Sequence, residues 1–174
     1  MERSGVREME EEVKVIGGIE FRKCSERALP DGRYVVEIKL GDRRKARTSL
    51  WAKKLTSVDV SKKNGYAFQG EFVGAGDVAM SPRDIIVAVR EFGSWKNPGQ
   101  LMKVYICFPD GVYESGRLEW GTEAQNVETI YTVKRVFDEL QSKEAKIEQL
   151  RTLIAEKERE LMTLKKQLEE LLAS

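Results

Sequence analysis

Up to Trp120 the apolar positions mostly recur at every second residue, and from Val127 onward at every third and fourth. The first period marks half-buried strands, the second one face of a helix. Val13 to Ile16 and Ile19 to Cys24 read as extended segments around Gly17-Gly18. Pro30-Asp31-Gly32 is a turn, because glycine reaches positive φ without steric cost. Arg33 to Leu40 alternates, with Tyr34, Val36 and Ile38 on one face, and Gly41-Asp42 turns the chain again. Arg43 to Leu55 fits a strand or a short amphipathic helix. Asn64-Gly65 is a hairpin dipeptide. It leads into a stretch where Tyr66, Phe68 and Phe72 share one face. Leu101 to Phe108 reads as a central strand, joined through Pro109-Asp110-Gly111 to a partner over Val112 to Trp120.

A helix is predicted over 82–92. Ser81 suits an N-cap, Pro82 the first helical position and Asp84 the first turn, while Ile85, Val89 and Phe92 form a stripe that Gly93 stops. The long C-terminal segment has neither Pro nor Gly, and one heptad register fits it. Position a holds Val133, Leu140, Ile147, Ile154, Leu161 and Leu168; position d holds Val136, Lys143, Leu150, Lys157, Leu164 and Leu171. The expected fold class is therefore α+β: an antiparallel β-sheet with at least one packed helix, followed by a long coiled-coil helix. The expected domains are a disordered acidic N-terminus over 1–12, a sheet-rich domain over 13–125 and an oligomerisation helix over 127–174. Self-association through 130–172 would give a dimer or a tetramer. An antiparallel pairing sets Arg151 against Glu158 and Glu144 against Lys165, whereas a parallel one sets Glu139 against Glu144 and Lys146 against Arg151. The antiparallel direction is expected.

Composition narrows the chemistry. The 174 residues hold no His, which removes the commonest general base and transition-metal ligand. Neither a Ser-His nor a Cys-His nucleophile is available. Cys24 and Cys107 lack metal-ligand spacing, and Cys107 sits inside an apolar run as a small hydrophobe would. Gly74-Ala75-Gly76 lacks the Lys-Ser/Thr of a phosphate loop and reads as a turn. Enzymatic activity, a metal and a cofactor are not expected. No apolar run reaches the roughly 18 residues that span a membrane, and Glu8, Glu10, Glu11 and Glu12 stand where a signal peptide would be apolar. A cytoplasmic location is expected. With 34% charged residues and only three Asn, the chain has a composition that suits a thermophile.

Net charge is only +1, yet Lys39, Arg43, Arg44, Lys45, Arg47, Lys53 and Lys54 face Asp42 alone over sixteen positions, a local +6. Trp51 lies among them, and Lys62 and Lys63 precede the Tyr66/Phe68/Phe72 stretch. Cations track phosphates and release counterions, while aromatic faces stack bases with little regard to sequence. That combination points to single-stranded nucleic acid. Lys39, Arg43, Arg44, Lys45, Arg47, Trp51, Lys53, Lys54, Tyr66, Phe68 and Trp95 are the candidate contacts. Phe72 and Phe108 are assigned to the core, and Trp120 to anchoring the helix. The helix expected over 82–92 balances Arg83 and Arg90 with Asp84 and Glu91, so it is no groove reader.

The segment Arg43 to Lys54, together with the zipper-like Leu140 to Leu172, resembles the ThermoDBP family, single-strand DNA-binding proteins of hyperthermophilic archaea. The resemblance is architectural. It implies a basic, aromatic-lined cleft on a sheet-and-helix domain, an oligomerising C-terminal helix, and single-stranded DNA as partner, with RNA the other candidate. The rival reading is an oligomeric protein-binding adaptor whose basic run is solvated surface.

Overall fold

The computed structural model describes residues 12–38, 48–74, 76–92 and 101–174, with the side chains of 48, 49, 91 and 92 not described. Eleven strands, one 3-10 turn and one long helix make up the regular structure among these residues. The strands are β1 (Val13–Ile16), β2 (Ile19–Ser25), β3 (Arg27–Ala28), β4 (Tyr34–Ile38), β5 (Thr48–Val58), β6 (Phe68–Val73), β7 (Gly76–Met80), β8 (Ile85–Phe92), β9 (Leu101–Phe108), β10 (Gly111–Ser115) and β11 (Leu118–Glu119). The helix α1 spans Glu123–Ala173. The larger sheet runs β1-β2-β10-β9-β8-β5-β6, with β11 added to β9, and the smaller runs β3-β4-β7. Every pairing is antiparallel.

The helix expected over 82–92 is instead the strand β8 in the middle of the larger sheet. Its residues Ile85, Ile86, Val87, Ala88 and Val89 are all buried, which a helix lying on one face of a sheet would not allow. Four of the five are β-branched, and a run apolar on both parities suits a strand covered on both faces. The i, i+4, i+7 stripe was a by-product of that continuous run. The supposed cap residues form a tight turn instead. The Ser81 amide donates to Asp84 Oδ2 at 2.9 Å, the Asp84 amide donates to the Ser81 carbonyl at 3.0 Å, and Arg83 adopts φ 88°. Proline second and positive φ third is the type II pattern.

Both faces of β8 carry core. On one, Ile86 and Ala88 meet Ala52, Tyr105, Cys107 and Val112 of the same sheet and Val36, Ile38 and Met80 of the smaller one. Tyr34, Val36 and Ile38 do share a face, and all three pack here. Cys107 is buried, and burial pushes its thiol up to about 12, so it stays protonated and inert. The opposite face carries Val87, Val89, Met102, Val104 and Ile106, all fully buried. The first turns of α1 bring Ile130, Val133 and Val136, also buried. Two local contacts fix those turns. Thr129 Oγ1 donates to the Glu119 carbonyl at 2.7 Å, and Gly17, at φ 60° in the β1–β2 turn, lies against Val136 with no room for a Cβ. Trp120 is buried beside Phe68, ring centroids 5.7 Å apart.

By contact density the chain divides into 1–138 and 139–174, so the compact unit takes in the start of α1 rather than ending near 125. The early heptad positions Val133 and Val136 are spent on that unit's core. In the second unit Leu150, Ile154, Leu161, Leu164, Leu168 and Leu171 are all more than half exposed. Arg151–Glu148 and Lys157–Glu160 ion pairs decorate its surface. No described helix is long and apolar enough to cross a membrane.

Of the acidic N-terminal stretch only Glu12 is described. Its carboxylate lies 2.8 Å from Lys23 Nζ and 3.2 Å from the Tyr113 hydroxyl, which donates at 2.7 Å to Asp110. Lys23 and Tyr113 hold the Glu12 carboxyl below the usual range. Burial alone would raise Asp110, but the Tyr113 hydrogen bond and the charges of Lys14 and Lys23 outweigh it, and the net shift is downward. Depressed carboxyls stabilise the fold above their unfolded values near 4 and lose that contribution as pH falls through the folded ones. Burial, then Asp110, pushes the Tyr113 hydroxyl up, so on the alkaline side stability falls as pH rises past about 10. Tyr113→Phe is accordingly expected to lower stability by about 1 kcal/mol at neutral pH. The difference should shrink below pH 3, in urea melts of both proteins followed by circular dichroism.

Candidate nucleic-acid interface

Strand parity sorts the basic and aromatic candidates. On β5, Trp51 and Lys53 pair with Val89 and Val87, whereas Lys54 pairs with Ile86. Trp51 and Lys53 therefore stand on the helix-side face. Lys54 stands on the other, with Nζ 3.9 Å from Asp84. The sequence run joins all three; the pleat separates Lys54 from the aromatic group.

Edge strand β6 supplies the outer wall. Phe72 is opposite Lys53 in register, and Phe68 is opposite Val58, beyond an irregularity between Leu55 and Ser57. Phe68 and Phe72 share a parity, as the sequence predicts, but their fates differ. Phe68 is fully buried against Trp120, so it is removed from the set of base contacts. Phe72, assigned to the core on sequence, is 67% exposed. The cover ends between them, at Gly70, which has no side chain and φ 153°. Phe108 is half-buried, with Tyr113 edge-on at 5.2 Å.

Tyr66 comes from the 3-10 turn Gly65–Ala67 and is 76% exposed. Asn64 caps that turn: its Oδ1 accepts from the Tyr66 amide at 3.0 Å. Trp51, Lys53, Asn64, Gly65, Tyr66 and Phe72 line one open cleft of about 400 Å³. Trp51, half-buried, forms its floor with an edge against Gly65. Phe72 meets Trp51 edge to face, centroids 6.4 Å apart at 78°. Lys53 Nζ stands 4.7 Å from the Phe72 centroid and 5.8 Å from that of Trp51, and donates to the Phe68 carbonyl at 2.9 Å. Two of its three protons remain for a ligand, and among the described residues its charge lies beside aromatic rings with no carboxylate paired to it.

Such a cleft can do two things. The exposed faces of Phe72 and Tyr66 offer stacking surfaces, and Lys53 offers a cation in the same cleft. Phe72 was missed because alternation reports parity, not whether anything lies above that parity. The flanking glycines, Gly70 and Gly74, were the available signal. Lys39, Arg43, Arg44, Lys45, Arg47 and Trp95 lie outside the described residues. Strand β5 begins at Thr48, the residue after Arg47, and Thr48 is the register partner of Phe92. Among the described residues no group of three or more Cys, Asp or Glu side chains converges as a metal site would require. No family model, curated protein or solved structure matches the chain.

Proposed function

We propose that the chain is a single-stranded nucleic-acid-binding protein of the kind its resemblance to the ThermoDBP family implies, with DNA as the first candidate. The observation that supports this most is the open cleft that Lys53, beside the Phe72 and Trp51 rings, lines together with the exposed Tyr66. Large aromatics are left exposed together only where something uses them. Bases stack on Phe72 and Tyr66, Lys53 takes a phosphate or a base edge, and the run Lys39, Arg43, Arg44, Lys45 and Arg47 supplies further phosphate contacts. A duplex offers no unstacked bases. The test is fluorescence anisotropy with a labelled strand, alone and annealed to its complement. Binding at least tenfold tighter to the single strand is expected, and equal affinity would refute the stacking mechanism.

The same reading includes self-association. Leu150, Ile154, Leu161, Leu164, Leu168 and Leu171 are uncovered along α1. A single apolar stripe on a long helix is stable in water chiefly when a second helix covers it. The charges flanking the stripe favour an antiparallel partner, Arg151 toward Glu158 and Glu144 toward Lys165. Linking two clefts in one particle raises avidity for a strand long enough to reach both. Leu161→Glu with Leu164→Glu is expected to give a monomer in sedimentation velocity. An unchanged mass would show that the stripe is not the contact.

A further inference from the structure

The cleft's hydrogen-bonding groups are unequal in kind, and this bears on which base enters it. Asn64 is the key. Its Oδ1 is committed to the Tyr66 amide, and because that amide can only donate, the orientation of the side-chain amide is fixed. Its backbone carbonyl is committed too, accepting from the Ala67 amide at 2.9 Å. What remains is Nδ2, a donor without a partner among the described residues, on a residue that lines the cleft. Lys53 is a donor only, with protons left after its bond to the Phe68 carbonyl. Tyr66 alone adds a hydroxyl that works either way. With the Trp51 indole N–H, the described side chains of the cleft thus present three groups that only donate and no uncommitted group that only accepts.

We infer that this cleft selects a keto-bearing pyrimidine, thymine or uracil, over adenine, with Asn64 as the specificity-determining residue. The inference rests on the single-strand reading above. Thymine and uracil present two carbonyl oxygens on one edge, and a cleft whose free side-chain groups mainly donate can pair with both. Adenine presents its exocyclic amine beside N1, which sets a donor against a donor. A donor that a bound base covers while facing it with another donor loses its water without gaining a partner. The aromatic faces serve both bases, so discrimination falls to the edge contacts.

The test compares oligo-dT with oligo-dA of equal length, on the full chain and on Asn64→Asp. Aspartate keeps an oxygen for the Tyr66 amide, and so keeps the cap, but turns the free donor into an acceptor. Its added charge acts on both strands alike and the self-stacking of oligo-dA is the same for every protein, so the change in the dT:dA ratio between proteins isolates the base edge. The unsubstituted chain is expected to favour dT by about tenfold, the scale of one to two hydrogen bonds, and Asn64→Asp to cut that ratio at least threefold. Asn64→Ser, which also caps but carries no amide and no charge, should cut it as well; thermal melts verify that both variants fold. A ratio unchanged in both variants, with binding retained, overturns the inference and leaves the single-strand reading standing. No binding of either strand by the unsubstituted chain overturns both.

Discussion

Gly70→Ala is expected to destabilise the compact unit by about 3 kcal/mol or more and to abolish the cleft with it. A Cβ built at this position collides with the Lys54 carbonyl oxygen and lies 2.9 Å from its carbon. Both are backbone atoms of the neighbouring strand, so no side chain can swing aside. The φ of 153° adds strain that only glycine avoids. Relief requires β5 and β6 to part near the register shift between Leu55 and Ser57. That would move Phe72 and Lys53 out of register and uncover Phe68, whose burial is worth several kcal/mol. A urea melt gives the stability, and a midpoint within error of the parent would contradict this account of the edge.

Tyr66→Ala combined with Phe72→Ala is expected to reverse the balance, costing little stability and much affinity. Both rings are mostly exposed, so their removal should change stability by no more than about 0.5 kcal/mol each. Each stacked base contributes about 1–3 kcal/mol, so together the loss should be on the order of 10² or more in Kd. Trp51→Ala is less diagnostic. Trp51 touches Phe72 and Gly65 from a half-buried position, so its loss should lower stability and binding together. Phe68→Ala should cost about 3–5 kcal/mol of stability through the cavity left beside Trp120. The four substitutions separate ligand contact from packing within one group of aromatics. Anisotropy titrations and thermal melts on the same three variants decide it.

Much of the sheet was legible in advance because alternation and turn chemistry act locally. Gly17-Gly18, Asn64-Gly65 and Pro109-Asp110-Gly111 each stand at or beside the connection between two strands that pair, and Leu101–Phe108 is central as its apolar run implied. Two features were not legible. The strand Ile85–Phe92 carries both a helical stripe and a continuous apolar run, and only the presence of cover on both faces decides between them. The burial of Phe68 and the exposure of Phe72 depend on where Trp120 and the first turns of α1 come to rest, which no local pattern encodes. The same holds for α1 itself. One heptad repeat serves two tasks in succession, a domain core at Val133 and Val136 and an uncovered stripe beyond Ile147.

In the proposed function, cations and exposed aromatics of this chain hold a single strand by its phosphates and bases. The most direct measurement is a titration with oligo-dT followed by intrinsic tryptophan fluorescence, repeated at about 50 and about 200 mM salt. Saturable quenching is predicted, with affinity falling about 10³–10⁵ between the two conditions if six to ten phosphates are neutralised. Absence of binding, or an affinity indifferent to salt, would contradict the account and favour a protein-binding role for the cleft.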